Sequence, residues 1–232
     1  FVSNNYKEGR KVISSIEDEL LSCEQFAISV AFITMSGITP LLQTLKELET
    51  RGIPGRILTT DYLTFSDPKA LRKLEEFSNL HVKMYVTDQT EEGFHTKGYI
   101  FKKEEMYRII VGSSNMTLSA LTVNREWNTR IVSTEQGEYA QSVLTEFEDL
   151  WNSPQAIEFE QFIDSYTENY TRNKIIRKQK ELARQEQIPS LEAYRLQPNS
   201  MQTGFINNLQ KIYDAGEDKA LLISATGTGK TY

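Results

Sequence analysis

The 232-residue sequence predicts an α/β protein in which helices cover a mixed β-sheet on both sides, an α/β/α arrangement. Two observations predict this fold class. In the N-terminal part of the chain, amphipathic segments with apolar residues at helical spacing alternate with short apolar segments of strand length. Further on, two short strand patterns are joined by a polar turn, which is typical of a hairpin. A net charge of −6 does not by itself indicate a nucleic-acid-binding protein, so any such binding must depend on a local basic patch.

The first elements follow from this alternation. A helix is predicted over residues 5–22, because Val12, Ile16 and Leu20 share one of its faces. Asp67 is a plausible N-cap of a later helix, since a proline occupies the position after it. The predicted elements of this part are helices over residues 5–22, 37–50 and 67–77 and strands over residues 26–33, 55–60 and 80–86.

The remaining elements are read in the same way. Two strands over residues 96–102 and 106–112 surround a polar turn at residues 103–105, which predicts a hairpin. The other predicted elements are a short helix near residues 118–121, a strand over 126–132, helices over 135–151, 154–170, 171–187 and 201–215, and an apolar strand over 220–224.

A group of polar residues lies at the open ends of the predicted hairpin. His95 and Lys97 are two positions apart, so in an extended chain both side chains project from the same face. A turn near Glu104 brings the end of the second strand back alongside His95. A glycine there would let the backbone approach an oxyanion, and hydroxyl and amide groups would supply neutral donors. The residues that could hold a phosphate beside His95 and Lys97 are Gly112, Ser113, Ser114 and Asn115.

This combination suits attack on a phosphodiester, which needs a nucleophile, neutralisation of the developing charge and an acid for the leaving oxygen. The pattern resembles the phospholipase D superfamily, whose signature is H-x-K, commonly followed by x4-D, and then G-[GS]-x-N. The matching residues are His95, Lys97, Gly112, Ser113 and Asn115. The resemblance implies a phospholipase D-like fold, a phosphohistidine intermediate on His95, and phosphate contacts from Lys97, Ser113 and Asn115, without a metal or other cofactor.

The sequence departs from this signature at one position, because Lys102 stands where the family often has aspartate. A nuclease branch, which includes a metal-independent type IIS restriction endonuclease, also lacks that aspartate and has a glutamate after the asparagine. Glu126 resembles that glutamate, and the resemblance implies that it orients an imidazole. The predicted catalytic residues are therefore His95, Lys97, Asn115 and Glu126.

A second histidine fits the first half of the signature more literally. His81, Lys83 and Asp88 satisfy H-x-K-x4-D, but no G-S-x-N follows Asp88 at the expected distance, so His95 is preferred. Enzymes of this family use two such motifs, and the chain has one credible copy. The resemblance to single-motif members implies a homodimer in which two His95 residues face one phosphate.

Two functions remain open at this point: cleavage of phosphodiesters, or binding of nucleic acid by a site that no longer cleaves. DNA is favoured over RNA as the partner, and a lipid substrate is disfavoured by the motor motif described below. Arg108, Arg125 and Arg130 could steer a phosphate backbone, although solvated charges are the favoured interpretation for at least two of them. Trp127 and Trp151 are predicted to be core residues.

A glycine loop follows the predicted strand over residues 220–224. Backbone N–H groups in such a loop cradle phosphates, its lysine reaches the terminal ones, and its hydroxyl holds Mg²⁺. Ser224 replaces the first glycine of the general pattern, and the A-T-G-T-G-K-T form resembles superfamily 2 helicases and restriction translocases. Gln202 matches their adenine-reading glutamine. The predicted ATP-binding residues are Gln202, Thr226, Gly227, Thr228, Gly229, Lys230 and Thr231.

Three segments are therefore expected: a phospholipase D-like domain over residues 1–165, a charged helical connector over 166–195, and the beginning of a helicase ATP-binding domain over 196–232. The acidic Mg²⁺-binding motif and the second motor lobe are expected beyond residue 232, so ATP and Mg²⁺ would serve the full-length helicase and this fragment would not hydrolyse ATP. A single cysteine, no secretory signal and no apolar run of membrane-spanning length predict a cytoplasmic protein with no membrane partner.

Overall fold

The computed structural model describes residues 1–87, 93–187 and 200–221. Their strands form one sheet in the order β6-β5-β4-β1-β2-β3-β7. Strands β1, β2 and β3 are parallel, whereas every other neighbouring pair is antiparallel, so the predicted mixed sheet is confirmed. The strands are β1 (Gln25–Val30), β2 (Gly55–Thr60), β3 (Leu80–Tyr85), β4 (Lys97–Lys103), β5 (Met106–Gly112), β6 (Asn128–Thr134) and β7 (Ala156–Glu158).

Helices cover both faces of this sheet. Apolar residues of α1, α3, α4 and α7 form one core with residues such as Phe26 and Ile28 of β1. The residue between those two, Ala27, faces the opposite side, where Phe147 and Trp151 of α6 form the second core. The helices are α1 (Val12–Ser22), α2 (Met35–Ile38), α3 (Leu42–Thr50), α4 (Pro68–Glu75), α5 (Leu118–Thr122), α6 (Glu138–Trp151), α7 (Phe159–Gln187) and α8 (Ser200–Asp214), with 3-10 turns at Tyr6–Glu8, Thr39–Leu41 and Tyr62–Thr64.

Several predicted elements are confirmed in place. The hairpin of β4 and β5 pairs Gly98 with Val111 and closes at Glu104, which has a positive φ of 54°. Asp67 caps α4, because its side chain accepts a hydrogen bond from the Lys69 amide.

Other boundaries differ for local physical reasons. Helix α1 begins at Val12 rather than at residue 5, because Asn4 Oδ1 accepts the Val12 N–H and Gly9 takes a positive φ of 66°. The predicted helix over residues 37–50 is interrupted at Pro40, whose ring has no N–H to continue an α-helical ladder. Residues 154–187, predicted as two helices, form β7 and the single helix α7.

The chain divides into two compact units, Phe1–Arg177 and Lys178–Tyr232. The first unit contains the whole sheet. The described residues beyond α7 contribute helix α8 and a short segment up to Leu221, in which Ala220 and Leu221 are not in a strand. The rest of the predicted strand over 220–224 lies outside the described residues. No helix among those described is long and apolar enough to cross a membrane.

Candidate functional site

The candidate site lies at the end of the sheet where β1 stops and β4 starts. Val30, the last residue of β1, pairs with Lys97, the first residue of β4. Beyond β1 the chain runs parallel to the segment after β5, with an isolated bridge between Ile33 and Met116. The Met116 N–H donates to the Phe32 carbonyl at 3.0 Å. The ends of β1 and β5 and the start of β4 therefore meet at one place.

Phe32 connects the two halves of the predicted motif. Its backbone N–H donates to Asn115 Oδ1 at 3.1 Å. Its ring lies edge-on to the imidazole of His95, with 6.1 Å between the ring centroids. The structure thus brings the exposed His95 and the half-buried Asn115 into contact with one residue. Because Oδ1 of Asn115 is occupied, its Nδ2 is the atom left to donate to a ligand.

Lys97 lies beside His95. Its ammonium donates to the carbonyl oxygen of His95 at 3.0 Å. Burial lowers the pKa of Lys97 below its ordinary value of 10.5, and the negative charge of Glu126 opposes that effect. The site therefore holds a partly desolvated cation next to His95, where its charge acts more strongly on an anion than it would in water.

Glu126 and Ser113 form the neighbouring pair. Glu126 is 9% exposed, and its Oε2 accepts a hydrogen bond from the Ser113 hydroxyl. The same hydroxyl accepts the Trp127 N–H at 3.1 Å. Within the described part of this chain, no hydrogen bond joins Glu126 to His95, so its carboxylate is oriented by Ser113.

Ser114 is placed differently from its neighbours. It is fully buried, and its hydroxyl accepts a hydrogen bond from Asn128 Nδ2 at 3.0 Å. Its carbonyl accepts from the Tyr99 hydroxyl at 3.0 Å, and its amide donates to Asn128 Oδ1 at 3.3 Å. The Ser114 hydroxyl therefore faces the protein interior, where an incoming phosphate does not reach it. Burial, with a further contribution from Glu126, raises the pKa of the Tyr99 hydroxyl, so Tyr99 stays a neutral donor.

Packing requires a glycine at position 112, which the sequence alone did not indicate. A Cβ on Gly112 would overlap the carbonyl oxygen of Trp127 and the side chain of Asn128 on the adjacent strand β6. Close packing between β5 and β6 therefore requires the glycine, independently of any oxyanion.

Sequence reasoning missed Phe32, Tyr99 and Asn128, which hold the site together. Phe32 sits in an apolar run that reads as an ordinary buried strand, and Tyr99 reads as a core aromatic. Asn128 carried a weak signal, because it is a polar residue inside a predicted strand, and the structure shows that it is only 2% exposed. Their roles arise from contacts between segments distant in sequence.

His81 lies elsewhere. It is on β3, which β1 and β2 separate from β4, and it pairs with Arg56 near the beginning of the parallel strands rather than at their end. Lys83 forms an ion pair with Glu158 at 2.9 Å and lies over the Trp151 ring. The structure therefore does not bring the His81 motif to the residues around Asn115.

The other basic residues near the motif have separate partners. Lys102 donates to Glu135 at 2.7 Å, and this hydrogen bond raises the pKa of Lys102. Arg108 and Arg130 each contact the buried carboxylate of Glu19 at 3.2 Å, which ties α1 to β5 and β6. Each of Lys102, Arg108 and Arg130 therefore has a carboxylate partner within the chain, and none of them needs a bound ligand to explain its position.

The two tryptophans differ in exposure. Trp151 is 8% exposed and packs in the second core, as predicted. Trp127 is 76% exposed, so its prediction as a core residue was wrong. Trp127 lies just before β6, between the buried Glu126 and the buried Asn128, and its indole projects into solvent.

No cluster of three or more His, Cys, Asp or Glu side chains able to hold a metal ion occurs in the described ranges. The predicted ATP-binding residues Thr226 to Thr231 lie outside those ranges, and Gln202 lies in helix α8 of the second unit.

A mixed α/β sheet whose H-x-K strand and G-S-x-N turn meet at one end defines a phospholipase D-like domain. The family model described as "Cardiolipin synthase, PLD-like domain" matches residues 18–151. Because this match spans more than half of the chain, the chain belongs to that family of phospholipase D-like domains.

Solved structures share this fold at low sequence identity. The phospholipase D family member Nuc from Salmonella typhimurium is 18% identical, with a TM-score of 0.51, over 68% of this chain and 95% of its own. Phosphatidylserine synthase from Haemophilus influenzae is 15% identical, with a TM-score of 0.51, over 78% of this chain and 45% of its own. Among curated proteins, no sequence matches the chain. The similar structures support the fold assignment.

Proposed function

We propose that the chain is a metal-independent phosphodiesterase, a nuclease domain that works through a phosphohistidine on His95 and belongs to an ATP-dependent DNA helicase or translocase. The observation that carries the proposal is that His95 and Asn115 both contact Phe32 at one end of the sheet, where Lys97 bonds to His95. This arrangement supplies an exposed imidazole, a partly desolvated cation and a free amide donor within one surface.

In the proposed reaction, an imidazole nitrogen of His95 attacks phosphorus and forms an N–P bond, while the P–O bond to the leaving oxygen breaks. Lys97 and Asn115 Nδ2 stabilise the negative charge on the phosphoryl oxygens. A second imidazole donates a proton to the leaving oxygen. The same imidazole then takes a proton from a water molecule, which attacks phosphorus, breaks the N–P bond and regenerates His95.

The second imidazole is proposed to come from another copy of the chain. The sequence has only two histidines, and His81 lies on a strand that β1 and β2 separate from β4. A two-fold homodimer with His95 of each protomer facing one phosphate would supply both groups. In this arrangement Glu126, held by Ser113, would orient an imidazole.

The helicase connection rests on the glycine loop. Residues Ala225 to Thr231 match a nucleotide-binding motif, and Gln202 is the proposed adenine contact. We propose that residues 1–165 form the phosphodiesterase domain, that residues 166–195 form the connector, and that residues 196–232 are the start of the helicase ATP-binding domain. ATP and Mg²⁺ would serve that helicase domain. A motor that moves along nucleic acid favours a nucleic-acid substrate, with DNA ahead of RNA.

The test is cleavage of single- and double-stranded DNA in EDTA by the 232-residue chain and by His95→Ala. His81→Ala is the matched control, because it removes a histidine without touching the site. The proposal expects cleavage by the parent chain and by His81→Ala and none by His95→Ala, together with acid-labile phosphate on His95. Binding without cleavage by any of the three proteins would refute the phosphodiesterase and favour a module that only binds nucleic acid.

A further inference from the structure

A wide groove borders the candidate site at Glu126. Its volume is about 890 Å³, and it runs between the N-terminal segment and the residues that follow α5. Asn4 fixes one wall to the other, because its amide group donates to the carbonyl oxygens of Ala120 at 2.8 Å and Asn124 at 2.7 Å. Glu126 belongs both to this groove and to the pair it forms with Ser113. Through Glu126, the groove therefore adjoins the Ser113–Glu126 pair of the candidate site.

The groove is lined by cations. Lys7, Arg10, Lys11 and Arg125 are all exposed along it, and the only carboxylate among its lining residues is the buried Glu126. Arg10 pairs with Glu8 at 3.3 Å. Across the described residues, no carboxylate lies within ion-pairing distance of Lys7, Lys11 or Arg125. Unpaired cations along an open groove fit a polyanion, although the chain as a whole is acidic.

Trp127 adds an exposed aromatic surface to the same groove. Its indole is 76% exposed, and Phe1 touches it edge-on with 6.1 Å between the ring centroids. Its backbone is fixed to the site, because its N–H donates to Ser113 Oγ and its carbonyl accepts the Ser113 N–H, both at 3.1 Å. A large exposed aromatic ring held beside a phosphate site is suited to stacking on an unpaired base.

We propose that this groove binds a single nucleic-acid strand, with Lys7, Lys11 and Arg125 contacting its backbone phosphates and Trp127 stacking on an unpaired base next to the phosphate at His95. The inference rests on the proposed function for the position of that phosphate. A single strand is the occupant because only an unpaired base offers its whole face to an indole. Trp127 is then a residue that determines specificity for single-stranded substrate.

The experiment measures binding by fluorescence anisotropy in EDTA, with every protein carrying His95→Ala so that no probe is cleaved. The probes are a labelled 16-nucleotide oligothymidine, an abasic strand of the same length and a duplex. Trp127→Ala should weaken oligothymidine binding roughly 5- to 150-fold, which corresponds to about 1–3 kcal/mol for one stacked base, and Trp127→Phe should restore most of it. Binding of the abasic strand should not change. Tyr139→Ala, at an exposed aromatic on α6, is the matched control.

Backbone contacts are tested by salt dependence. The triple variant Lys7→Ala/Lys11→Ala/Arg125→Ala should weaken binding to both single strands. It should reduce the slope of log K against log salt by about 2, since each contact on a single strand contributes about 0.7. Lys69→Ala, at an exposed lysine on α4, should leave the slope unchanged.

Three results would overturn the inference. They are unchanged oligothymidine binding by Trp127→Ala, equal weakening with the abasic strand, and a loss of dimer mass in light scattering that accompanies the loss of binding. The last would place Trp127 in a protein interface. Cleavage by the parent chain in EDTA is scored separately, so the groove and the phosphodiesterase can each fail while the other stands.

Discussion

The hydrogen bond between Ser113 and Glu126 should stabilise the folded chain measurably. Ser113→Ala removes the hydroxyl that donates to a carboxylate only 9% exposed and that also accepts the Trp127 N–H. A hydrogen bond to a charged group contributes roughly 1.5–3 kcal/mol, whereas the Trp127 amide is at the surface and can bind water instead. We therefore expect a loss of about 2 kcal/mol, which for a protein of this size lowers Tm by roughly 4–8 °C.

The assay is thermal unfolding followed by circular dichroism, with Ser142→Ala as the matched control. Ser142 is an exposed serine on α6 whose hydroxyl bonds a carbonyl of its own helix, so its removal should change stability by no more than about 0.5 kcal/mol. Glu126→Gln should be less damaging in the Ser113→Ala background than in the parent, because the two side chains interact directly. A Tm for Ser113→Ala within the range of the control, with additive effects in the double variant, would refute the reasoning.

The remaining predictions concern a charge, a thiol and a glycine. Burial lowers the pKa of Lys97, so the protonated lysine opposes folding at neutral pH, and this opposition fades as pH rises towards 10.5. The Tm of Lys97→Met at pH 7 should therefore equal or exceed that of the parent chain, and this difference in Tm should shrink by pH 10. The variant should no longer cleave DNA. A Tm below that of the parent at pH 7 would contradict this prediction. Cys23 is 1% exposed, and burial raises its pKa to about 11. Ellman's reagent at pH 8 should therefore react with Cys23 only after denaturation. Rapid reaction of the native chain would show that the thiol is not buried. Gly112→Ala should lower the free energy of unfolding in urea by about 2 kcal/mol, because the added Cβ overlaps residues at the start of β6. Gly98→Ala should lower it little, because the space around its Cβ is open. Equal losses in the two variants would disprove the packing argument.

Local patterns sufficed for much of the fold. The alternation of helical and strand periodicities predicted β2 at its observed bounds and β5 likewise, because each is a short strand pattern bounded by a proline, a glycine or a polar residue. Asp67 followed by proline located the start of α4, since capping depends on neighbouring residues alone. The interruption at Pro40 could have been predicted by the same reasoning, whereas β7 could not, because three residues carry too little pattern.

The sequence by itself determined the sheet-forming segments, the hairpin of β4 and β5, and the placing of His95, Lys97, Gly112 and Asn115 at its ends, because spacing along a hairpin fixes which residues come together. Only the tertiary structure decided that Phe32 joins His95 to Asn115 and that Ser113 holds Glu126. It also decided that Ser114 faces the interior while Trp127 faces solvent. The physical reason is that these features depend on which distant segments pack against the hairpin. That packing is set by the summed burial of the whole core, and no local stretch of sequence encodes it.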